Sequence, residues 1–412
     1  MKGRVMIPRS RVMLAAVRLL FAVVLVIVLL PPGASGDEFK VVPSLALREG
    51  HNDNILYTQS DPIRSWVTTV SPALTLTNRT EKTDLMLSGL VDVVRYHEES
   101  NYNSENQYYK GRLGYSFSPR ASVQAEGGWS RDYQPDRDIE TTGLVLSNNQ
   151  RDRTYAGLSG NWVLTERLSA GASYYFEQDL YDTPEISDVT QNLASLGFTH
   201  LLGLATKGRL NVGYGSFRYT AQDTNSAWGT VGIEHTFHEL WTVIVDVGGR
   251  FARTKYQMQE LQFVPPFFVV PVTVDKISEV WSGVGKASVN YKGEKTTLSL
   301  SASYDLAPSS GVSGATQRTS FVFDIRRRLT YEFSAAISTG YFLNYAAAGD
   351  YGTGSVNEAT VFANPSLRYE FTRDLYLELM YSYAATDYKD TDASANRNYV
   401  FLRLFAQYPL FE

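Results

Sequence analysis

The sequence contains no cysteine. A disulfide framework, thiolate metal sites, a lipoprotein anchor and covalently attached c-type haem are therefore excluded. Beyond residue 37 no apolar stretch reaches the roughly 20 residues that a membrane-spanning helix needs. No Pro-, Gly- or Ser-rich linker and no block of charge divides the chain either. These absences favour one continuous domain over several soluble ones.

The first 36 residues have the layout of a secretory signal peptide. Five basic and no acidic side chains accompany the apolar run 19–30, and the small residues Ala34 and Gly36 stand just before Asp37. Because the run is too short to span a membrane as a helix, we expect a cleaved signal rather than a permanent anchor. The predicted organisation is a signal peptide at 1–36 and a single exported domain at 37–412.

The charge of the mature chain disfavours a nucleic-acid partner. Removing five of the 38 basic residues leaves 33 against 43 acidic ones, a net charge of about −10. The chain also carries 27 Tyr and 20 Phe, although only 43% of its residues are hydrophobic. An aromatic, moderately apolar chain without helical spans fits a membrane barrel of alternating strands.

Apolar and polar residues alternate with a period of two along the mature chain, as in strands with one apolar face. From residue 241, for example, Val243, Val245 and Val247 alternate with Thr242 and Asp246. Most such segments run for roughly 11 to 16 residues, whereas strands of soluble sandwiches have about 5 or 6 and membrane strands need about 9 to 11. The segment length therefore favours a membrane barrel over a soluble β-protein.

The connections between these segments predict the topology. Eight short polar turns lie near residues 78–82, 119–120, 165–166, 202–207, 238–239, 292–294, 327–328 and 372–374. Nine longer loops alternate with them, near residues 51–63, 98–105, 135–149, 181–187, 223–225, 258–274, 307–315, 346–355 and 389–394. Seventeen connections predict an all-β fold: a transmembrane antiparallel up-and-down β-barrel of about 18 strands, with periplasmic turns and extracellular loops. The expected location is the bacterial outer membrane, in contact with lipid and lipopolysaccharide.

Charged residues on the polar parity are expected to face the lumen, because a charge in hydrocarbon costs roughly 2 to 4 kcal/mol at the midplane. Arg153 and Glu177 share this parity. Both signs are interleaved, which predicts a water-filled lumen with weak ion selectivity for polar solutes. The predicted pore-lining residues are Asp92, Lys110, Arg112, Glu126, Glu234, Asp246, Arg250, Lys286, Asp324, Arg326, Arg368, Glu370, Glu378 and Arg403.

One predicted loop is unusually apolar. The segment from Phe263 to Pro271 contains three prolines, three phenylalanines and three valines and has no charge. Three interpretations stay open: a constriction folded into the lumen, a contact with a partner or lipopolysaccharide, or two extended strand ends that only resemble a loop.

The sequence offers no constellation for catalysis, a cofactor or a metal ion. His235 and His238 are three apart on a strand that runs into a turn, so their side chains point to opposite faces. A Gly-x-Ser-x-Gly nucleophile elbow is missing. We therefore predict a protein that is not an enzyme, with no catalytic, cofactor-binding or metal site.

The segment 48–55 (REGHNDNI), followed by Ser71-Pro72-Ala73-Leu74, resembles the opening of β-barrel porins often associated with exopolysaccharide export loci. His51 stands where that family has an aromatic residue, and Ala73 replaces a glycine. The resemblance implies a passive conduit for polysaccharide, working with periplasmic export proteins. The alternatives are a general diffusion porin, a barrel sheath around a multihaem cytochrome and, as the enzymatic contrast, an outer-membrane lipid hydrolase.

Overall fold

The computed structural model describes residues 38–135, 137–145, 148–184, 186–264, 268–308, 314–351 and 355–410. The predicted signal peptide at 1–36 lies outside the described residues. No helix in these ranges is long and apolar enough to cross a membrane. The two short helical elements are a 3-10 turn at Ser100–Tyr102 and the helix α1 at Ile139–Thr142.

Eighteen strands account for nearly all of the described chain. They are β1 (Glu38–Asn52), β2 (Ser65–Arg79), β3 (Thr83–Tyr96), β4 (Ser104–Ser118), β5 (Ala121–Asp132), β6 (Arg151–Val163), β7 (Leu168–Tyr181), β8 (Val189–Leu201), β9 (Thr206–Tyr219), β10 (Gln222–Phe237), β11 (Trp241–Val264), β12 (Phe268–Lys292), β13 (Thr296–Pro308), β14 (Ala315–Arg328), β15 (Phe333–Ala346), β16 (Val356–Thr372), β17 (Leu375–Tyr388) and β18 (Ala393–Gln407).

The sheet closes on itself. Each strand pairs antiparallel with its neighbours in sequence, and β1 pairs with both β2 and β18. Closure leaves no sheet edge along the ring, which is the condition for a sheet to cross a membrane. The predicted fold class and the strand number are thus confirmed.

The period-two pattern explains both faces of the wall. Outward-facing Val247 and Leu402 are 55% and 46% exposed, whereas the inward-facing neighbour Asp246 is buried. The turns follow from local chemistry. His238 and Glu239 both adopt positive φ, of 48° and 60°, which supplies the left-handed pair that a tight hairpin turn requires.

Two predicted loops are wrong in position. Residues 223–225 lie within β10, and only residues 220–221 connect β9 to β10.

The predicted loop 258–274 is mostly paired strand: the ladder of β11 and β12 continues from Gln257↔Asp275 to Val264↔Phe268. Val and Phe favour extended, paired strands. Pro271 is tolerated because β12 pairs with β11 alone at this position, and β13 joins it only from Gly285 onward. The interpretation of the apolar segment as extended strand ends is confirmed, and its contact with a partner or lipopolysaccharide stays a prediction. Residues 265–267 at its tip lie outside the described part of the chain.

Candidate functional site: the lumen and its inward loop

The lumen is packed with side chains at the end that carries the longer loops, its outer half, and is open at the end that carries the short turns, its inner half. In strands that begin at the loop end, the first inward-facing residues are buried. In β2 these are Ser65, Val67 and Thr69. Further along the same strand, toward the short turns, the inward residues are only half-buried. Strand β10 repeats this gradient. The material that covers the outer half must therefore come from loops that fold inward.

The main inward loop is the connection between β5 and β6, residues 133–150, of which 136, 146 and 147 are not described. A buried ion network holds its root. The Arg151 guanidinium lies 3.0 Å from an oxygen of Asp132 and 2.6 Å from one of Asp138, and Arg137 lies 2.9 Å from Asp132. Beside them Arg153 donates two hydrogen bonds of 2.7 Å to the carboxylate of Asp179. Such interlocked, buried pairs fix the direction in which the loop leaves the wall.

The tip of the inward loop is bound to the opposite wall. Asn344 on β15 donates to the Thr142 carbonyl at 2.9 Å, and Thr360 on β16 donates to the Gly143 carbonyl at 2.6 Å. Asn364 donates to the Glu140 carboxylate at 2.6 Å. Strands β6 and β15 are nine steps apart in a ring of 18, so the loop crosses the lumen to the opposite side.

Apolar packing accompanies these hydrogen bonds. Ile139 and Leu144 of the loop are 3% and 2% exposed. Ile139 packs in a cluster with Phe342 and Phe362 of the far wall and with Tyr57 from the β1–β2 connection. Burial of two aliphatic side chains contributes a few kcal/mol in favour of the docked loop. The docked position is therefore a defined state of the loop.

A second apolar cluster fills another part of the outer lumen. Tyr351, in the connection between β15 and β16, packs there with Phe217 and Tyr219 of β9, Leu306 of β13 and Val356 of β16. Burial raises the pKa of the Tyr351 phenol. The interpretation of the apolar segment as a constriction is wrong, because Leu261 and Phe263 of that hairpin are exposed, 76% and 61%. The lumen is filled instead by the inward loop and by the connection between β15 and β16.

The strand register places all fourteen predicted pore-lining residues on the inner face, opposite the exposed aliphatic residues. Three of them are buried: Asp246, Arg250 and Glu378. The pairings that share this face include Arg112↔Glu126, Asp246↔Lys286 and Glu378↔Arg403. The inner-face positions that belong to the same ladders are Asp92, Lys110, Arg112, Glu126, Glu234, Asp246, Arg250, Lys286, Asp324, Arg326, Arg368, Glu370, Glu378 and Arg403.

Some of these charges pair along the wall. Arg209 lies 3.3 Å from Glu234 and 3.1 Å from Asp246, and Lys207 lies 2.7 Å from Glu234. This group neutralises itself across β9, β10 and β11. A similar group of Arg368, Glu378 and Arg403 lies on β16 to β18.

Others face the open half of the lumen without an ion pair among the described residues. They belong to both signs and are exposed, so water solvates them. An inward wall of solvated charges is what a polar passage needs. The members of this set are Lys110, Arg112, Glu126, Lys286, Asp324, Arg326 and Glu370.

Sequence reasoning missed an aromatic strip on the inner wall near the C-terminus. Tyr376 and Phe405 stack with their ring centroids 4.8 Å apart. Arg368 lies over the Tyr376 ring at 4.1 Å, and Arg403 lies over the Phe405 ring at 5.6 Å. Glu378 links the two arginines at 3.0 and 3.9 Å. The signal available in the sequence was the presence of aromatic residues at strand positions that otherwise carry polar, inward-facing side chains.

The root network was also missed, because Asp132, Arg137, Asp138 and Arg151 lie at the ends of strands or in a loop. Sequence separation gives no hint that these four meet. Their signal was compositional only: five acidic and four basic residues fall within positions 131 to 153.

One group on the outer surface bears on the enzymatic alternative. The Thr68 hydroxyl lies 2.7 Å from Nε2 of His97 and contacts the Glu49 carboxylate. Glu49 approaches the same nitrogen at 3.7 Å. In a catalytic triad the acid binds the other ring nitrogen and orients the imidazole. Here acid and hydroxyl share one nitrogen, so the arrangement lacks that relay. Next to it, hydrogen bonds from Ser65 and the Trp66 amide lower the pKa of Glu98.

Within the described ranges no group of three or more metal-ligating side chains converges. His235 forms a 2.8 Å hydrogen bond with the Thr206 hydroxyl. His238 stands in the following turn.

Comparison with known proteins gives one family match. A family model described as "Putative MetA-pathway of phenol degradation" matches residues 65–193, under a third of the chain. No curated protein matches the sequence significantly.

Among solved structures, the chain is similar to Pseudomonas aeruginosa OpdO, at 11% identity and a TM-score of 0.45, covering 91% of this chain and 98% of that one. Acinetobacter baumannii OccAB4 matches at 12% identity and 0.43, covering 92% and 100%. Pseudomonas aeruginosa OccK2 matches at 12% and 0.46, with the same coverage.

A closed antiparallel sheet of 18 strands, apolar outside and polar inside, is the fold of an outer-membrane β-barrel.

Proposed function

We propose that the chain is a passive, porin-like channel of the outer membrane that admits small polar solutes and excludes large ones. One observation carries this proposal: the inward loop 133–150 crosses the lumen and is bound to the opposite wall at Asn344 and Thr360. A lumen that is open and charged at one end and narrowed by its own loop at the other selects by size. Mixed charges on the open wall favour polar solutes of either sign.

The family match makes small aromatic compounds a class to include among the test solutes. Its description concerns phenol degradation, and it covers residues 65–193, which contain the inward loop. The inner wall offers stacked rings at Tyr376 and Phe405. Weak stacking slows a solute without trapping it, as passage requires.

Polysaccharide export, implied by the resemblance at 48–55, is the second candidate. The arginine–aromatic strip of Arg368, Tyr376 and Phe405 supports it, because sugars stack on such rings and accept hydrogen bonds from guanidinium groups. A continuous sugar chain cannot pass a lumen that a docked loop crosses, so export requires the loop to leave the wall. A barrel that sheathes a cytochrome would also require the loop to leave the wall.

The protein is also proposed to act without catalysis. The Thr68, His97 and Glu49 group lacks a relay, which supports a structural role for it. Outer-membrane lipid and lipopolysaccharide remain the expected contacts of the outer face.

Liposome swelling tests the proposal. The mature barrel is reconstituted, and swelling is followed in a pentose, a disaccharide and a tetrasaccharide of the same osmolarity. A matched variant has residues 139–144 replaced by Gly and Ser at unchanged length. We expect the wild type to admit the pentose far faster than the tetrasaccharide, and the variant to lose this difference. Equal, rapid entry of all three sugars into wild-type liposomes would favour the polysaccharide conduit, and no entry into either set would refute a channel.

A further inference from the structure

The wall contains one unusually short ladder. Strand β12 is the longest of the barrel, with 25 residues, yet it pairs with β13 over only eight positions, from Gly285↔Tyr304 to Lys292↔Thr297. On its other side β12 pairs with β11 over 24 positions. Above Gly285 the two strands separate, and β13 continues as residues 305–308 paired with β14 alone. We call the gap between residues 278–284 and 305–308 the seam.

The seam begins near the outer surface of the membrane. Eight paired residues at about 3.4 Å each, tilted by about 40°, rise roughly 20 Å above the turn, against an apolar band about 25 Å tall. Open sheet edges are not tolerated in the middle of a bilayer. They are tolerated at the polar headgroups of the outer leaflet, where water reaches the backbone.

A buried side chain of β11 bridges the seam from the lumen side. Arg250 on β11 is 4% exposed and pairs in the ladder with Ser282 of β12. Its guanidinium passes that strand, donates to the Leu306 carbonyl at 3.0 Å and contacts the Asp305 carboxylate. One arginine thus replaces the backbone hydrogen bonds that the ladder lacks here.

Both sides of the seam carry apolar side chains beside a few polar ones, among them Ser282 on the inside and Glu279, paired with Arg253 at 3.5 Å, on the outside. On the outside Trp281 is 78% exposed and packs against Phe251, with ring centroids 5.0 Å apart. On the inside Leu306 belongs to the buried cluster of the outer lumen, against which Val280 packs. A molecule that crosses the wall beside Trp281 and Leu306 meets apolar side chains on both faces, with the Arg250 guanidinium, the Asp305 carboxylate and the Ser282 hydroxyl near its path.

We propose that the seam is a lateral portal through which small amphipathic molecules, an apolar ring or chain with one polar group, enter the lumen from the outer leaflet. The inference rests on the proposed role of the lumen as a passage. Opening the wall elsewhere breaks a ladder of backbone hydrogen bonds in lipid, at several kcal/mol per orphaned group. Opening it here breaks no backbone ladder; it breaks the contacts of Arg250 with the Leu306 carbonyl and the Asp305 carboxylate and the packing of Val280 on the Leu306 cluster, so the seam opens first.

Reversible cross-linking tests the portal, because the chain has no cysteine of its own. Gly283→Cys with Tyr304→Cys spans the seam; a side chain at 283 would sit 3.9 Å from the Tyr304 ring. The control, Val289→Cys with Leu300→Cys, joins directly paired residues of the same two strands. Both are closed with a short bifunctional methanethiosulfonate reagent and reopened with a reductant, in cells that carry a periplasmic β-lactamase.

Two probes are followed in the same cells: N-phenyl-1-naphthylamine, which is apolar and fluoresces in membranes, and nitrocefin, a polar β-lactamase substrate. We expect the seam cross-link to reduce naphthylamine uptake to the level of cells without the protein, with recovery on reduction and unchanged nitrocefin hydrolysis. The control cross-link should change neither. Naphthylamine uptake that is independent of the protein, or insensitive to the seam cross-link, overturns the portal. Nitrocefin hydrolysis no faster than in cells without the protein overturns the channel instead.

A second variant removes the bridge. Arg250→Met keeps the length of the side chain but cannot hold Leu306 and Asp305, so naphthylamine uptake should rise. Heat-dependent mobility in gels shows whether the barrel is still folded. A folded Arg250→Met protein with wild-type uptake contradicts the role assigned to this arginine.

Discussion

At the scale of single residues, the inward loop depends most on Arg151. This side chain is 4% exposed and lies between two buried carboxylates, Asp132 and Asp138. Removing one partner of a buried ion network leaves uncompensated charge, which typically costs about 3 to 5 kcal/mol. We therefore expect Arg151→Met to lower the free energy of unfolding in lipid by about that amount, measured by urea titration of the reconstituted barrel.

Arg95 provides the control. It pairs with Glu105 at 3.1 Å, but both side chains are about half exposed. An exposed pair contributes less than about 1 kcal/mol, so Arg95→Met should be nearly neutral. If both variants unfold at the same urea concentration, the root network is not a special source of stability.

Gly143 is the second critical residue of the loop. Its φ of 68° favours glycine, and a Cβ built there would overlap Phe342. Gly143→Val should therefore push the loop tip off β15 and raise the single-channel conductance, while the barrel stays folded. Gly203→Val is the matched control, because the space around Gly203 is empty. An unchanged conductance in Gly143→Val argues against a docked tip.

At the scale of elements, the strands were the predictable part. Alternation with period two and polar turns follow from local residue chemistry, so the strand number and the faces could be read along the chain. The segment 258–274 was misread because Pro271 and an uncharged Phe–Val run look like a loop. The outer parts of β11 and β12 pair with each other, and Lys276 contacts Glu260 at 2.6 Å across that ladder. No local pattern in the sequence shows this pairing.

The inward loop could be seen as a loop but its destination could not. Thr142 and Asn344 are 202 residues apart, and Gly143 and Thr360 are 217 apart. Contacts of this kind depend on the closure of the whole ring, which brings β6 opposite β15. For the same reason the parity of the lumen charges was accessible from the sequence, while their partners, such as Arg209 for Asp246, were not.

The β11–β12 hairpin makes a prediction of its own. Its outer part projects beyond the neighbouring strands, with Leu261 and Phe263 exposed. Replacing residues 259–273 with a short turn should leave conductance unchanged, because this segment does not constrict the lumen. A marked rise in conductance would restore the apolar segment as part of the constriction.

At the scale of the whole molecule, the open half of the lumen presents charges of both signs. This mixture predicts weak selectivity between cations and anions. Reversing Lys110 and Lys286 to Glu should shift the reversal potential in a salt gradient toward cation selectivity, since both are exposed on the inner wall. Reversing Arg79, an exposed residue at the turn end of β2, should shift it less. Equal shifts would place the ion path away from these lysines.

The central claim is a channel whose size limit is set by its own loop, and single-channel recording in planar bilayers tests it most directly. Wild-type barrels should give small, uniform conductance steps, and barrels with residues 139–144 replaced by Gly and Ser should give clearly larger ones. Equal steps from the two proteins, or no steps from a folded barrel with the loop replaced, would contradict the account.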